Sequence, residues 1–386
     1  MSVTAAKGFV ASGVHSGLRR TAPDLAVVRS ITSATGAAMF TANRMQAAPV
    51  VVSREHLERA QPQAIVANSG IANAATGERG LRDARSSAAE TAASLGLEPQ
   101  QVLVLSTGVI GAPLPLDNLL AGVRAAAQTL SPAGGAAAAE AIMTTDTESK
   151  QAVAHGDGFT VGGMAKGSGM IHPHLATMLA VVTTDYPLAP GEAIAFLRPA
   201  VDTSFNAISV DGECSTNDTV CLLANGASGI ARTPASDEMF ALALGRVCAQ
   251  LAEQIVADGE GATVLAEIAV SGAVDTKQAR AIAARVATSS LVKTALFGRD
   301  ANWGRIVAAA GSAPFNGGFA DLDPARLTVA IDGVTVLENG APQPGEPELG
   351  GSCKIELDLG LGDGTAGYLT SDLSYDYVRI NADYRT

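Results

Sequence analysis

The stretch from Gly162 to Asp185, GGMAKGSGMIHPHLATMLAVVTTD, constrains the fold more than any other part of this chain. Met178 to Val182 is an unbroken apolar run with β-branched residues, closed by Thr183, Thr184 and Asp185. Such a run predicts a strand buried on both faces. A glycine-rich loop containing Pro173 precedes it, so Thr177 stands where that loop enters the core. Aromatic residues are only 4% of the chain while hydrophobic residues are 47%, so Ala, Val, Leu and Ile must build its core, which suits an α/β protein.

Two readings of Thr177 stand on the residues alone. The simpler is a β-branched residue at the start of a strand, its preferred place. The other is chemical: a threonine hydroxyl becomes a useful nucleophile when the free amine of the same residue takes its proton. That amine exists only if the chain is cut between Ala176 and Thr177. The small Ala176 leaves the preceding carbonyl open, and glycines at 162, 163, 167 and 169 permit the strained backbone a cut requires.

With 386 residues the chain is long enough for a large core and two lobes. Its net charge of -12 argues against binding a phosphate backbone, so nucleic acid is excluded as a partner. The opening MSVTAAKGFVASG lacks the apolar centre of a signal peptide, and no 18-residue apolar run follows, so a cytoplasmic protein without a membrane partner is expected. Cys214, Cys221, Cys248 and Cys353 show no CxxC pairing and are read as reduced thiols.

Along the first half, strands are expected at 25 to 31, 37 to 43, 49 to 53 and 64 to 68. Ala67 to Gly77 is small and polar, either turn chemistry or a pocket wall. A helix over 83 to 95 ends at Gly96, and a strand over 102 to 105 runs into Ser106, Thr107 and Gly108. A strand ending in a hydroxyl residue and a glycine is either an ordinary turn or a place where amides approach a substrate oxyanion. Pro115 opens a helix with Leu116, Leu119, Leu120 and Val123 on one stripe. A second helix, 135 to 143, delivers Met143, Thr144, Thr145 and Asp146, whose plain reading is a helix terminus with local hydrogen bonds. The segment 147 to 158 is polar, and a strand over 159 to 164 leads into the glycine loop.

His172 and His174 share no face and have no third ligand nearby, which excludes a catalytic zinc site. The lysine of the loop precedes its Gly-Ser-Gly, so the loop is not a Walker phosphate cradle. Further on, a helix from Ser236 carries Phe240, Leu244, Val247, Leu251 and Ile255 on one face and stops at Asp258 and Gly259. Glu260 follows in a glycine-flanked loop, solvated or ready to bind an ammonium group. A strand over 264 to 271, a helix over 275 to 287, a helix opening at Asn302 and a hairpin turning at Asp332 and Gly333 come next. Gly362 to Gly367 matches GxGxxG, but no βαβ unit surrounds it, so it reads as a hairpin connection.

Lys166, Gly167, Ser168, Gly169, Met170 and Ile171, with Pro173 and Leu175 to Leu179, resemble the signature of the ornithine acetyltransferase family, the glutamate N-acetyltransferases. The resemblance runs from about residue 7 to the last residue. It implies an ArgJ/DmpA-like layered αββα sandwich with a smaller C-terminal α/β lobe at about 264 to 386. It implies cleavage between Ala176 and Thr177 into fragments 1 to 176 and 177 to 386, which stay together as a heterotetramer of two copies of each. Thr177 would be the nucleophile and Thr107 with Gly108 the oxyanion site. Thr144, Lys166, Glu260, Asn381 and Thr386 would contact substrate. The implied reaction carries acetyl from N2-acetylornithine to glutamate through an acetyl-threonine, in arginine biosynthesis, with no cofactor and with acetyl-CoA as an alternative donor. Ala75, Val264 and Ala301 depart from the family, whose members commonly carry cysteine, lysine and proline there. These departures keep a different amino-acid acceptor open, beside an N-terminal-threonine amidase or aminopeptidase and an uncleaved binding homologue.

Overall fold

The computed structural model describes residues 2–172 and 178–383. Ala176, Thr177, His174 and Thr386 therefore lie outside the described residues. Two compact units divide the chain: Met1–Asn206 with Glu213–Ile255, and Ala207–Gly212 with Val256–Tyr384.

Among the described residues of the first unit, two sheets face each other. One has the strand order Phe9–Val14, Leu25–Ser30, Ala64–Asn68, Val102–Ser106; the other runs Thr35–Phe40, Thr219–Ala224, Leu179–Thr184, Thr160–Lys166, Lys150–His155. Alternation decides which side chains meet between them. Ile65, Ala67, Leu103 and Leu105 point inward from the first sheet and meet Leu179, Val181, Cys221 and Leu223 from the second. Val66, Val102 and Val104 point the other way and share a core with Ala88 and Ala92 of the helix Gly77–Leu95 and with Leu119 and Val123 of the helix Leu116–Gln128. On the far side, Gly163 lets the helix Pro234–Ala257 settle on the second sheet, since a Cβ there would lie 2.9 Å from both Leu251 and Val247. The result is the expected αββα sandwich.

Gly162 and Gly163 thus serve packing rather than backbone strain. They sit inside a regular strand, and a Cβ on Gly162 would meet the Ser2 carbonyl oxygen at 2.4 Å. Among the described residues of that strand and loop, Gly167 and Met170 have positive φ, at 152° and 57°.

The expected strand at 49 to 53 is instead part of the helix Ala48–Leu57, with Pro49 in its first turn, where a missing N–H costs nothing. Its position overrides the β preference of three consecutive valines. Val102–Ser106 is an edge strand, and the helix covers it: Ser53 Oγ donates to the Val104 carbonyl and accepts from the Val104 amide, both at 2.8 Å, and His56 Nδ1 lies 2.8 Å from the Val102 carbonyl. The polar segment 147 to 158 also contains a strand, Lys150–His155, in which Lys150, Ala152 and Ala154 face inward. The strand expected over 37 to 43 spans Thr35–Phe40.

The helix Pro234–Ala257 is long and apolar enough to cross a membrane by length and composition. Phe240, Leu244, Val247, Leu251 and Ile255 are nonetheless fully buried, which makes it a core helix.

In the second unit, Leu265–Ala273 is flanked by Ser352–Asp358, parallel to it, and by Gly364–Ser371, antiparallel. The stretch matching GxGxxG is therefore not a hairpin connection, because the strands on either side of it are not partners. The chain passes over the end of Leu265–Ala273, where the Leu359 and Leu361 amides donate to Ser271 and Gly272. Asp332 and Gly333, with φ of 47° and 77°, form the expected hairpin turn. Helices Thr276–Ala287, Ser290–Phe297 and Trp303–Ala310 bury their apolar residues against this sheet.

Candidate active site

In the first sheet, Asn68 and Ser106 end neighbouring parallel strands, opposite each other. Their side chains lock together: Ser106 Oγ donates to Asn68 Oδ1 at 2.6 Å, and Asn68 Nδ2 donates to the Ile71 carbonyl at 2.8 Å. The chain then turns at Thr107, whose amide donates to the Asn68 carbonyl at 2.9 Å. Gly108 follows with φ of 127°, so close to the neighbouring loop that a Cβ would lie 2.2 Å from the Gly70 carbonyl carbon. Only glycine fits. Among the described residues no hydrogen bond takes up the Gly108 N–H, which leaves it as a donor for a developing negative charge.

Lys166 ends the strand Thr160–Lys166, is buried, and donates through Nζ to Thr107 Oγ1 at 3.4 Å. An ammonium can only donate, so this contact makes the threonine oxygen an acceptor and leaves its own proton available to a substrate.

Beside Lys166, Asp146 gathers Lys150 Nζ at 2.7 Å, the Gly167 amide at 2.6 Å and the Thr144 amide at 2.9 Å. Burial pushes its carboxyl up, but the charges of Lys166 and Lys150 and the hydrogen bonds from Lys150 and Thr144 outweigh that and hold it at about 2. Asp146 is thus an anion at neutral pH that fixes Thr144 and Gly167 together. Thr145 Oγ1 lies 2.7 Å from Ser168 Oγ, and Arg19 Nη1 donates to the Met143 carbonyl at 2.9 Å. The expected site residues Thr107, Gly108, Thr144 and Lys166 are therefore joined by one network within this unit.

In the second unit, Asn381 Nδ2 donates to Glu260 Oε2 at 2.7 Å, which joins the other two described candidates. Gly261, with φ of 69°, lets the Glu260 turn approach the helix Tyr375–Asp383; a Cβ there would lie 2.5 Å from the Tyr377 nitrogen. Asp372 holds the same turn by accepting from the Thr263 and Val264 amides at 2.7 and 2.9 Å. Val264 is buried in the unit's core. The buried ammonium of this unit is Lys293, which donates to Thr370 Oγ1 at 3.0 Å and to the Ser371 carbonyl. Burial lowers it to about 8 against the pull of Asp372 and Asp211.

Sequence reading gave no role to Lys150 or Lys293, and gave Asp146 only local hydrogen bonds at a helix end, of which the Thr144 amide supplies one. A lysine four residues after an aspartate was the one available signal for the Asp146–Lys150 pair, and it sat in a segment that reads as polar loop. Among the described residues no group of three or more His, Cys, Asp or Glu is placed to hold a metal ion.

An αββα sandwich with a threonine–glycine turn backed by a buried lysine at its strand ends has the parts of an acyl-transfer enzyme. Comparison with known proteins narrows this to one family: the ArgJ family model matches residues 10–386, and this chain belongs to that family. The arginine biosynthesis bifunctional protein ArgJ of Thermosynechococcus vestitus is 46% identical, covering 100% of this chain and 98% of its own length. That of Symbiobacterium thermophilum is also 46% identical, with the same coverage. The crystal structure of an ornithine acetyltransferase from Mycobacterium tuberculosis, complexed with ornithine, is 42% identical and covers 45% of this chain and 94% of its own, with a TM-score of 0.42.

Proposed function

We propose that this protein is an ornithine acetyltransferase of arginine biosynthesis, which carries the acetyl group of N2-acetylornithine to glutamate. The observation that carries the reading is the whole-length relationship to arginine biosynthesis bifunctional proteins. The Lys166–Thr107–Gly108 arrangement supports it from the chemistry.

In this reading the bond between Ala176 and Thr177 is cut by the chain itself, and the freed Thr177 amine accepts the proton of the Thr177 hydroxyl as the oxygen attacks the acetyl carbonyl. Thr107 Oγ1–H and the Gly108 N–H donate to the carbonyl oxygen as it becomes an oxyanion. The ornithine amine takes the proton and leaves as the C–N bond breaks, and an acetyl ester remains on Thr177. The amine of glutamate attacks that ester, and the threonine hydroxyl is restored. Thr144 and Lys166 contact the substrate. Glu260 binds an ammonium group of the amino acid, and Asn381 and Thr386 also contact substrate. The working form is a cytoplasmic heterotetramer of two fragments 1 to 176 and two fragments 177 to 386. No cofactor enters the cycle, and incubation with acetyl-CoA and glutamate tests acetyl-CoA as an alternative acetyl donor.

Incubating the purified protein with N2-acetylornithine, with and without glutamate, tests this directly. Acetyl transfer predicts ornithine release that continues only when glutamate is present. Release at the same rate with water alone would make the protein an amidase. A single full-length band on a denaturing gel from active protein would remove the nucleophile proposed here.

A further inference from the structure

Asn217 and Asp218 are consecutive, buried, and placed just before the strand Thr219–Ala224. Each reaches a different part of the site. Asn217 Nδ2 donates to the Ala72 carbonyl at 2.6 Å and to the Ser106 carbonyl at 2.8 Å, bracing the turn that carries Thr107 and Gly108 against the loop behind it. Asp218 Oδ1 accepts from the Met178 amide at 2.9 Å, and Met178 is bonded directly to Thr177 in the chain. The Met178 carbonyl in turn accepts from the Thr219 amide at 3.1 Å, so the start of the nucleophile's strand is held at two points. One dipeptide thereby ties the two halves of the chemistry to a common strand.

We propose that Asn217 and Asp218 form a positioning clamp that sets the entry of the nucleophile's strand relative to the oxyanion turn. Asp218 does this as an uncharged acid. It accepts one backbone amide through Oδ1, while Oδ2 is buried and takes no hydrogen bond among the described residues. An ionised carboxylate left so poorly supported is expensive, and Asp146 nearby shows what a supported one looks like. The ionisable groups felt by Asp218 are Lys166 and Cys214. Burial pushes its carboxyl well up; the Met178 amide, the Lys166 charge and Ser215 offset this only in part.

This inference rests on the reading of Thr177 as nucleophile, and the experiment separates the two. Full-length Asn217→Ala, Asp218→Asn, Asp218→Ala and Thr177→Ala proteins are compared by denaturing gel, by melting and by kcat and KM per mole of cleaved chain, with N2-acetylornithine and glutamate. Asp218→Asn keeps both the acceptor and the lack of charge, so kcat should stay within about threefold of the parent. Asn217→Ala and Asp218→Ala should lower kcat by about tenfold or more at nearly constant KM, because a misplacement of about 1 Å can cost about 10²-fold. A merely structural role would lower the melting temperature without that split. Asp218→Asn as damaging as Asp218→Ala, at an unchanged melting temperature, overturns the neutral acid. Full kcat in both alanine variants overturns the clamp, and if Asp218→Ala does not fold, full kcat in Asn217→Ala overturns it alone. Normal transfer by Thr177→Ala would instead sink the nucleophile and the clamp with it; an inactive Thr177→Ala beside fully active clamp variants sinks the clamp only.

Discussion

Lys166 Nζ donates to Thr107 Oγ1 at 3.4 Å, and both side chains are buried. A buried ammonium of this kind does two things for acyl transfer: it orients the threonine so that its proton faces away from the lysine, and it raises the local potential where negative charge develops. Lys166→Met keeps the length of the stem and removes the charge. We expect kcat to fall by about tenfold to a hundredfold while KM for N2-acetylornithine changes by less than about threefold. Steady-state kinetics on the cleaved protein reads this. A rise in KM alone would assign Lys166 to a substrate carboxylate instead of Thr107.

Gly108 offers a stricter steric test. Its φ of 127° and the 2.2 Å approach that a Cβ would make to backbone of Gly70 leave no route for relaxation. Gly108→Ala should abolish transfer and lower the melting temperature. Gly111, with φ of 81° and open space around it, is the control. Gly111→Ala should cost only about 1 kcal/mol of stability, from the backbone conformation alone. Equal melting temperatures for the two variants would contradict the geometry.

How much was legible beforehand follows from what each residue faces. The strands Val102–Ser106 and Leu179–Thr184 could be read because every residue in them is buried, and continuous apolar character is the signal for that. The helix over 48 to 57 was misread because three valines outweighed Pro49, the residue that suits a first helical turn. Lys150–His155 escaped because its inward alternation begins with a charged residue, and a lysine reads as buried only once Asp146 is known to meet it. The candidates Thr107, Gly108, Thr144, Lys166, Glu260 and Asn381 came from family resemblance, and their hydrogen-bond partners did not. Nothing in the local sequence distinguishes the anionic Asp146 from the neutral Asp218, since the difference lies in which distant amides and ammonium groups surround each carboxyl.

Asp146 predicts an acid limb in stability. Its carboxyl sits at about 2 when folded, against an ordinary 3.8, so the folded state holds the proton less firmly than the unfolded one. That stabilisation, about 2 kcal/mol, is fully present above the unfolded value and is lost as pH falls through the folded one. Urea unfolding from pH 5 downward should show this loss, and Asp146→Asn should flatten that part of the curve. The variant should also be less stable at pH 7 by about 3 kcal/mol or more, because Lys150 loses its counter-ion in a buried site. An unchanged acid limb would mean that Asp146 is not the anion the hydrogen bonds imply.

Lys293 predicts the opposite end of the pH scale. Its ammonium is lowered by burial to about 8 when folded, against an ordinary 10.5, despite Asp372 and Asp211. Between those two values the unfolded chain binds more protons than the folded one, so stability must rise with pH across that window. The gain is at most about 3 kcal/mol, and it is complete only above the unfolded value. Lys293→Met removes the titration and should abolish the rise. It should also leave Thr370 Oγ1 and the Ser371 carbonyl without their shared donor in the second unit. Melting temperatures of the parent and the variant from pH 7.5 to 10.5 decide the point: the parent curve should rise relative to that of the variant as pH increases. Parallel curves would show that Lys293 keeps its proton throughout, with Asp372 and Asp211 outweighing burial.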